Sequence, residues 1–322
     1  MRISNFDNVV FSEEDKKLFT KGIENLKYNQ MSLAGWIALI FSFSVLAKLP
    51  MSLCFIGFSC LIASIVWLIY IHAKYGKYKH KGYTYQKSVV KPMLERLAPN
   101  IHVEPKIETD PVIFPDAMNK SVPYQMYKAR LVPIKDACYN KGLAIDYCDG
   151  QDGFQAYRIK LDVMRDNHVR VYFNGTLLHL KLKKNYPGYM YIMSTYSKKG
   201  VLGDEHEVVN FDKLHKGEEK VDFESEEFNS KFEVYATDAV QAFRYMNSSV
   251  MERLLELRRQ YKFCCYINEN DIWISVYDFL MFDEPSMYGK EVNDYTFNEA
   301  LTDLKNTMDL AYNLIDAITE GK

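Results

Sequence analysis

The strongest pattern in the chain is an apolar run over residues 31–71, in which Lys48 is the only charged residue. Pro50 separates an apolar stretch over 31–47 from a second one over 51–71. About 20 helical residues cross a hydrocarbon core of ~30 Å, so the run predicts a transmembrane helical hairpin. A buried hairpin in a soluble core is the alternative, but the run is longer and less charged than a core helix needs.

Lysine residues flank this run on both outer sides, whereas its loop holds only Lys48. The flanking lysines are Lys16, Lys17, Lys21 and Lys27 before the run, and Lys74, Lys77, Lys79, Lys81 and Lys87 after it. Because basic residues near span ends mark the cytoplasmic side, we predict a multi-pass membrane protein with both termini in the cytoplasm. The polar stretch that precedes the run argues against a signal peptide.

The pattern divides the chain into four segments. We predict a cytoplasmic amphipathic helix in residues 1–30, the transmembrane hairpin in 31–71, a basic juxtamembrane segment and helix in 72–98, and a cytoplasmic α+β domain in 99–322. In the first segment, Ser12 and Asp15 have the spacing of a capping box. The apolar residues that follow share one helical face, which meets either the membrane or the C-terminal domain.

Two segments carry strongly unbalanced charge. Residues 72–98 have a net charge of +6, and residues 201–230 have a net charge of −7. An anionic lipid head group is a candidate ligand for four of the basic residues, although an ordinary cytoplasmic flank explains them too and is favoured. These four candidates are Lys74, Lys77, Lys79 and Lys81. The acidic segment either docks on the basic one or forms a solvated loop, and we favour the loop.

Alternation of apolar and polar residues over 154–182 predicts antiparallel strands. Asn174-Gly175 lies between two alternating stretches, which is the usual signature of a two-residue hairpin turn. With that turn, one face of the hairpin is apolar, and the preceding turn near Asp166-Asn167 must contain an odd number of residues. The polar face would hold His168, Arg170, Tyr172, His179 and Lys181. We take these five residues as the candidate ligand or partner face.

The remaining pattern predicts further strands and helices of an α+β fold. A turn at Pro187-Gly188 and a strand over 189–197 extend the meander, and a strand over 232–238 ends at Asp238 as a helix N-cap. Helices follow at about 239–246 and about 250–260, the second with a capping box at Ser249 and Glu252. A hairpin over 263–279 turns at residues 268–271, and an amphipathic helix opened by Thr296 and Glu299 ends the chain.

Several of these segments resemble one known family. The carrying features are Phe228 and Phe232, the VYATD stretch at 234–238, the helix around Phe243 and MERLLELR at 251–258. Together with FNGTLLHLKLKKNYPGYMYI, they resemble the bacterial "domain of unknown function 3137" family over most of residues 86–280. The resemblance implies a bacterial protein with two spans ahead of a cytoplasmic domain. That family has no assigned activity, so no catalytic residue is implied.

The composition and the missing motifs argue against several classes of protein and of functional site. The chain has 322 residues and a net charge of −2, which argues against a nucleic-acid-binding protein. Nucleotide-binding, zinc-protease, hydrolase and paired-cysteine motifs are missing from the sequence, so we predict no catalytic residue, no metal and no cofactor. The four cysteines outside the apolar run lie in a reducing compartment and should be free thiols. They are Cys138, Cys148, Cys264 and Cys265.

These observations favour a non-enzymatic interaction or ligand-sensing module, anchored in the bacterial cytoplasmic membrane by two spans. A protein partner at the cytoplasmic face is the expected kind of ligand. The alternative is an enzyme with an unrecognised site, acting on a lipid head group or a nucleotide. Clustering of His168, Arg170 and His179 in a deep pocket would favour the enzyme. An oligomeric membrane effector is a third hypothesis, which the absence of ionisable residues inside the spans disfavours.

Overall fold

A computed structural model describes most of the chain in two compact units. The described residues are 12–48, 50, 54–75, 85, 89–97, 101–104, 108–110, 138–147, 154–165, 168–200, 203–208, 217–281 and 294–319. One unit comprises residues 3–99 and 282–306, and the other comprises residues 100–281 and 307–322. Two apolar N-terminal helices precede an antiparallel open sheet that is packed with helices, which confirms the predicted α+β class.

Two long helices dominate the first unit. Helix α1 covers Glu13–Leu46 and helix α2 covers Cys54–Tyr75, and both are long and apolar enough to cross a membrane. The amphipathic segment and the first predicted span are one continuous helix, about 51 Å long at 1.5 Å per residue. Its predicted amphipathic face includes Phe19, Ile23 and Leu26, and all three are buried.

The predicted capping box at the start of α1 is confirmed. The Ser12 hydroxyl accepts a hydrogen bond from the Asp15 backbone N–H at 3.1 Å, and the Asp15 carboxylate accepts one from the Ser12 backbone N–H at 3.1 Å. The hydrogen bond from the Ser12 side chain, together with the nearby Arg96 guanidinium, lowers the pKa of Asp15 below its usual value of 3.8. Arg96 belongs to the short helix α3, Lys91–Leu97, and lies 3.4 Å from the Asp15 carboxylate.

The helical hairpin is closed by small polar residues. Ser64 is buried, and its hydroxyl lies 3.4 Å from the hydroxyl of Ser42 on α1. Near the other end, the Trp67 indole N–H donates to the Met31 carbonyl at 3.5 Å. Ala63 lines a groove beside Ser64 that residues of α1 also line, whereas Ser59 and Cys60 are exposed.

The second unit is built on a sheet whose strand pairs are all antiparallel. The strands are β1 Ile101–Glu104, β2 Glu108–Asp110, β3 Cys138–Tyr147, β4 Phe154–Arg165, β5 His168–Gly200, β6 Gly203–Val208, β7 Glu219–Val221, β8 Phe232–Ala236 and β9 Lys262–Tyr277. Strands β1 and β2 pair with β3, which pairs with β4, and β7 pairs with β8. The long strand β5 is central and pairs with β4, β6, β8 and β9.

The predicted hairpin at Asn174-Gly175 is wrong, because β5 runs straight through these two residues. Strand β4 pairs along one edge of this stretch and β9 along the other. A Cβ on Gly175 would lie 2.0 Å from the carbonyl oxygen of Val276 on β9. Glycine is therefore needed here for the close approach of a neighbouring backbone, not for a turn.

The prediction of an odd-numbered turn near Asp166-Asn167 is also wrong. Arg165 pairs directly with His168, so two residues separate the strands. Side chains change to the other face of the sheet at a register shift between β4 and β5. Leu161 pairs with Phe173 there, but Asp162 pairs with Val171. This shift is a β-bulge that leaves one extra residue in β5, and such a bulge reverses the side of the sheet that later residues face.

The predicted turns at Pro187-Gly188 and at residues 268–271 are bulges between two continuous strands. Strands β5 and β9 pair on both sides of this region, with Lys181 opposite Asp271 and Met190 opposite Ile267. Gly188 has a φ of 89° and Glu269 a φ of 45°, which are left-handed conformations. Because each strand finds a long-range partner, the local turn signals produce an irregularity in register instead of a chain reversal.

The helices of this region largely follow the prediction. Helix α4, Glu226–Lys231, was not expected, whereas α5, Ala239–Tyr245, has the predicted N-cap at Asp238. Helix α6, Ser248–Arg258, begins before the predicted Ser249 capping box because the Asn247 side chain is its N-cap. The final helix α7, Asp294–Thr319, confirms the amphipathic prediction but begins two residues before the predicted opening at Thr296. Its buried positions include Leu304, Met308, Ala311, Leu314 and Ile318.

Candidate functional site

The candidate face predicted from the sequence lies along one strand and does not form a cluster. The hairpin would have placed Arg170 opposite His179, but both residues belong to β5 and are nine positions apart. At ~3.3 Å per residue, their backbones are separated by about 30 Å. The side chains of His168, Arg170 and Tyr172 lie outside the described part of the structure.

His179 occupies a row of polar and aromatic side chains that crosses three strands. It pairs with Gln155 on β4 and with Trp273 on β9. Its Nδ1 lies 3.1 Å from Gln155 Oε1, and its Nε2 lies 2.7 Å from Asp271 Oδ1. The side chain of His179 is 15% exposed and that of Asp271 is 40% exposed, so the row opens to solvent at the carboxylate.

Aromatic contacts hold the His179 ring in place. The imidazole stacks on the Trp273 indole with the ring centroids 3.8 Å apart and the planes 11° from parallel. The Tyr157 hydroxyl donates to Gln155 Oε1 at 2.9 Å, which fixes the amide that faces the imidazole. Lys181 is exposed and lies opposite Asp271 in the strand register. The result is a rigid aromatic surface with one lysine and one carboxylate at its edge.

This geometry is better suited to binding than to catalysis. Both nitrogens of His179 face oxygen atoms of neighbouring side chains, so neither is open to an incoming group. A general base or a metal ligand needs a ring nitrogen that is open toward the reacting group. A ring N–H that points at either oxygen can donate a hydrogen bond, and the stacked Trp273 indole holds the ring in that orientation.

Sequence reasoning missed Gln155, Asp271 and Trp273. Strand pairing brings them beside His179 from positions far away in the chain, and Asp271 had been assigned to a turn. No local motif connects these residues. The hydrophobic alternation of β4 and β9 was visible, but the pairing of those strands with β5 was not.

The basic residues proposed as lipid ligands are described only in part. Lys74 is exposed near the end of α2, where its Nζ donates to the Tyr70 hydroxyl at 3.0 Å and lies 5.5 Å from the centroid of that ring. Lys77, Lys79 and Lys81 lie outside the described residues. Lys74 and Tyr70 form the kind of basic and aromatic pair that is common at a membrane interface.

The described part of the chain gives little evidence for a metal-binding site or for a reactive cysteine. No group of three or more histidine, cysteine, aspartate or glutamate side chains that could hold a metal occurs there. Cys264 and Cys265 are free, as predicted, and buried. Burial raises the pKa of Cys264 to about 12 and also raises that of Cys265, which disfavours the reactive thiolate. The thiols of Cys138 and Cys148 lie outside the described residues.

Comparison with protein families gives a match over the C-terminal part of the chain. Residues 171–318 match the family described as "Protein of unknown function (DUF3137)". We call these residues the DUF3137 region. The DUF3137 region includes the block at 220–260 that carried the resemblance, but it begins later than residue 86 and continues past residue 280 into α7.

The residues that carried the resemblance have structural roles in the DUF3137 region. Phe228 stacks on Phe232 with centroids 4.8 Å apart. The Thr237 hydroxyl accepts a hydrogen bond from the Tyr189 N–H at 3.1 Å, and a Cβ on Gly188 would lie 2.2 Å from that hydroxyl. These contacts join the two sequence stretches that resembled the family. They indicate that this signature specifies the fold.

Arg258, at the end of α6, makes a further structural contact in the same block. Its guanidinium donates to the Lys231 carbonyl at 3.1 Å and to the Thr195 carbonyl. The last turn of α6 is thereby joined to the end of α4 and to β5. The MERLLELR stretch thus ends in a residue that positions the helix on the sheet.

The other comparisons do not identify a function. No curated protein matches the chain. A solved structure, that of the mycobacterial trehalose monomycolate transport factor A, TtfA, aligns with 66% of this chain and 88% of its own length at 10% identity, with a TM-score of 0.29. That similarity is too weak to support any argument about this chain.

Proposed function

We propose that this protein is a bacterial interaction or ligand-sensing module anchored in the cytoplasmic membrane by α1 and α2. Both termini and the sheet-containing unit then lie in the cytoplasm. The module contacts a protein partner or a ligand at the membrane surface and performs no catalysis of its own. Cys264 and Cys265 would lie in a reducing compartment, consistent with their free thiols.

The observation that carries the membrane anchor is the outward orientation of large apolar side chains on both helices. Their exposed fractions run from 41% for Ile65 to 67% for Phe41. Only 11% and 17% of the most apolar windows of α1 and α2 are buried, whereas the core helix of a soluble protein is mostly buried. Exposing such an apolar surface to water is unfavourable in free energy, whereas contact with the hydrocarbon of a membrane is favourable.

The distribution of charge and aromatic residues supports a cytoplasmic sheet unit. Lys48 lies in the short connection between the helices, whereas the described flanking lysines lie toward the opposite ends of α1 and α2; they are Lys16, Lys17, Lys21, Lys27 and Lys74. The hydrogen bond from Trp67 to Met31 places that indole near the same lysine-rich end, where an interfacial anchor belongs.

A binding role for the sheet rests on the His179 face. A stacked imidazole and indole with Lys181 and Asp271 at the edge suits a planar or charged group of a ligand or partner. The enzyme hypothesis required His168, Arg170 and His179 to meet in a pocket, and their spacing along β5 does not favour that. The proposed head-group role of Lys74, Lys77, Lys79 and Lys81 complements the anchor.

Cysteine accessibility tests the topology. In a Cys54→Ser background, which removes a native thiol near the loop, we expect Lys48→Cys to react with a membrane-impermeant maleimide in intact cells. Ser12→Cys and Gln260→Cys, both at exposed positions, should react only after permeabilisation. Labelling of either in intact cells, or release of the chain from membranes by alkaline carbonate, would overturn the proposal.

A further inference from the structure

The described sheet ends at strand β7. In the strand order, β7 is terminal, and among the described residues its pairing partner is β8. Val221 is buried, whereas Glu219 and Lys220 are exposed. An edge strand presents backbone N–H and C=O groups to which an extended segment of another chain can pair.

An exposed apolar pair on α5 lies next to this edge. Val240 is 60% exposed and Phe243 is 49% exposed, and they are the described large hydrophobic residues outside α1 and α2 with such exposure. The Phe243 ring packs edge-on against Phe223, with centroids 5.2 Å apart, and Phe223 is itself buried just after β7. Part of the ring is therefore packed against a buried side chain, and the rest is open to a side chain of a partner.

Acidic residues surround the same place. Residues 218–231 contain six carboxylates against two lysines. One of those lysines, Lys220, already lies 3.5 Å from the carboxylate of Glu233. The exposed acids of this stretch are Glu219, Asp222, Glu224, Glu226 and Glu227. A partner segment that is basic complements this charge, whereas an anionic membrane surface does not.

We propose that the edge formed by β7 and α5 binds an extended, basic peptide segment of a partner protein. The segment pairs with β7 as an added strand, and one of its apolar side chains packs against Phe243 and Val240. Lysine or arginine side chains of the segment lie near the surrounding carboxylates. This inference deepens the proposed interaction function, but it uses none of the residues of the His179 face or of the helical hairpin.

Peptide binding to the full chain in zwitterionic nanodiscs tests the proposal. The probe is a fluorescent ten-residue peptide that alternates lysine with valine and phenylalanine. We expect saturable binding. A peptide with glutamate in place of lysine, and one with alternate backbone nitrogens methylated, should each bind at least about tenfold more weakly, which corresponds to about 1.4 kcal/mol. Equal binding of the glutamate peptide would overturn the basic specificity, and equal binding of the methylated peptide would overturn strand addition.

Variants locate the site. Val240→Ser combined with Phe243→Ser, and separately Glu224→Lys, should each weaken the lysine peptide about tenfold. Glu256→Lys, an exposed position on α6 with the same change of charge, is the matched control and should bind normally. Because Phe243 touches Phe223, the serine variant can lose stability, whereas Glu224→Lys leaves the aromatic contact intact. If Glu224→Lys binds like the unaltered chain, or Glu256→Lys weakens binding equally, the site is wrong.

Self-association is a competing outcome that the same variants resolve. A chain that doubles its mass in solution through this edge, and becomes a monomer in the Val240→Ser and Phe243→Ser variant, would have a second copy as its occupant. That result would overturn the proposed basic partner. It would leave the membrane topology unaffected, since topology is measured independently through Lys48.

Discussion

The helical hairpin and the central sheet obtain their backbone partners at very different distances along the chain. In α1 and α2, backbone hydrogen bonds join residues about four positions apart, so the local pattern determines the element. In the sheet, Thr176 on β5 pairs with Val276 on β9. Local turn signals at Asn174-Gly175 and Pro187-Gly188 were overridden there by partners that no short window of sequence contains.

Glycine-containing turn signals have more than one structural outcome. A turn forms only when the two flanking strands are each other's best partners. In this sheet, β9 offers both halves of β5 a continuous partner, and the glycines accommodate its close approach or a bulge. The same sequence signal is therefore compatible with a hairpin turn or with the close approach of a neighbouring backbone. The outcome depends on a strand that is distant in the sequence.

The largest expected effect comes from a side chain at Gly175. Gly175→Ala places a Cβ 2.0 Å from the Val276 carbonyl oxygen, and overpacking of this kind should lower the free energy of unfolding by about 3 kcal/mol. Denaturant unfolding of the detergent-solubilised chain measures it. Gly217→Ala is the control, since Gly217 has a φ of 91° but no atom within 4 Å of the added Cβ, and should cost only about 1 kcal/mol. Equal losses for both variants would mean that the close approach of β9 is absent.

A smaller loss is expected from Thr176→Val. The buried Thr176 hydroxyl donates to the Phe279 carbonyl at 2.8 Å and accepts from the Met281 N–H at 3.0 Å. Valine keeps the shape but leaves both backbone groups without this partner, which should cost about 2 kcal/mol. Thr20→Val, at an exposed site on α1 where the hydroxyl bonds to Lys16, should cost about 0.5 kcal/mol or less. Similar losses of stability for the two variants in thermal unfolding would contradict the expected difference between the sheet and the helix.

The His179 row should respond more weakly to Asp271→Asn. The substitution removes the negative charge from the contact with His179 Nε2 at 2.7 Å and should reduce stability by about 1 kcal/mol, because the site is partly open to solvent. Near-ultraviolet circular dichroism of Trp273 during unfolding provides the measurement. Glu256→Gln is a control for loss of one exposed acid. An unchanged midpoint for Asp271→Asn would show that the contact does not order the face.

The smallest effect is the pH dependence of the capping box on α1. The pKa of Asp15 is lowered in the folded chain, so the ionised carboxylate stabilises the helix above pH 3.8 and that contribution is lost as the pH falls through the lowered pKa. The Asp15 side chain is 14% exposed, but its partner Arg96 is 62% exposed, so the contribution should be about 0.5 kcal/mol or less. Helix content measured between pH 6 and pH 2 should change less in Asp15→Asn than in the unaltered chain. An identical acid transition would contradict the prediction.

The candidate site was less accessible to sequence reasoning than the elements that compose it. His179 and Lys181 were chosen for their polar positions on an alternating strand. Their neighbours Gln155, Asp271 and Trp273 come from two other strands, and the hairpin register wrongly brought Arg170 beside His179. The acidic segment at β7 and the aromatic helix α5 could both be recognised in the sequence. Their proximity could not, because it depends on the packing of α5 against β7.

The sequence alone determined the elements whose physics is local. These are the two apolar helices, the capping residues at Ser12 and Asp238, the amphipathic α7 and the alternation of β4. The tertiary structure decided which strands pair, where the bulges lie and which side chains surround His179. The physical reason is that helix hydrogen bonds and capping involve residues a few positions apart, whereas the register of β5 and β9 is selected by close contacts, such as that of Gly175 with Val276, between residues far apart in the chain.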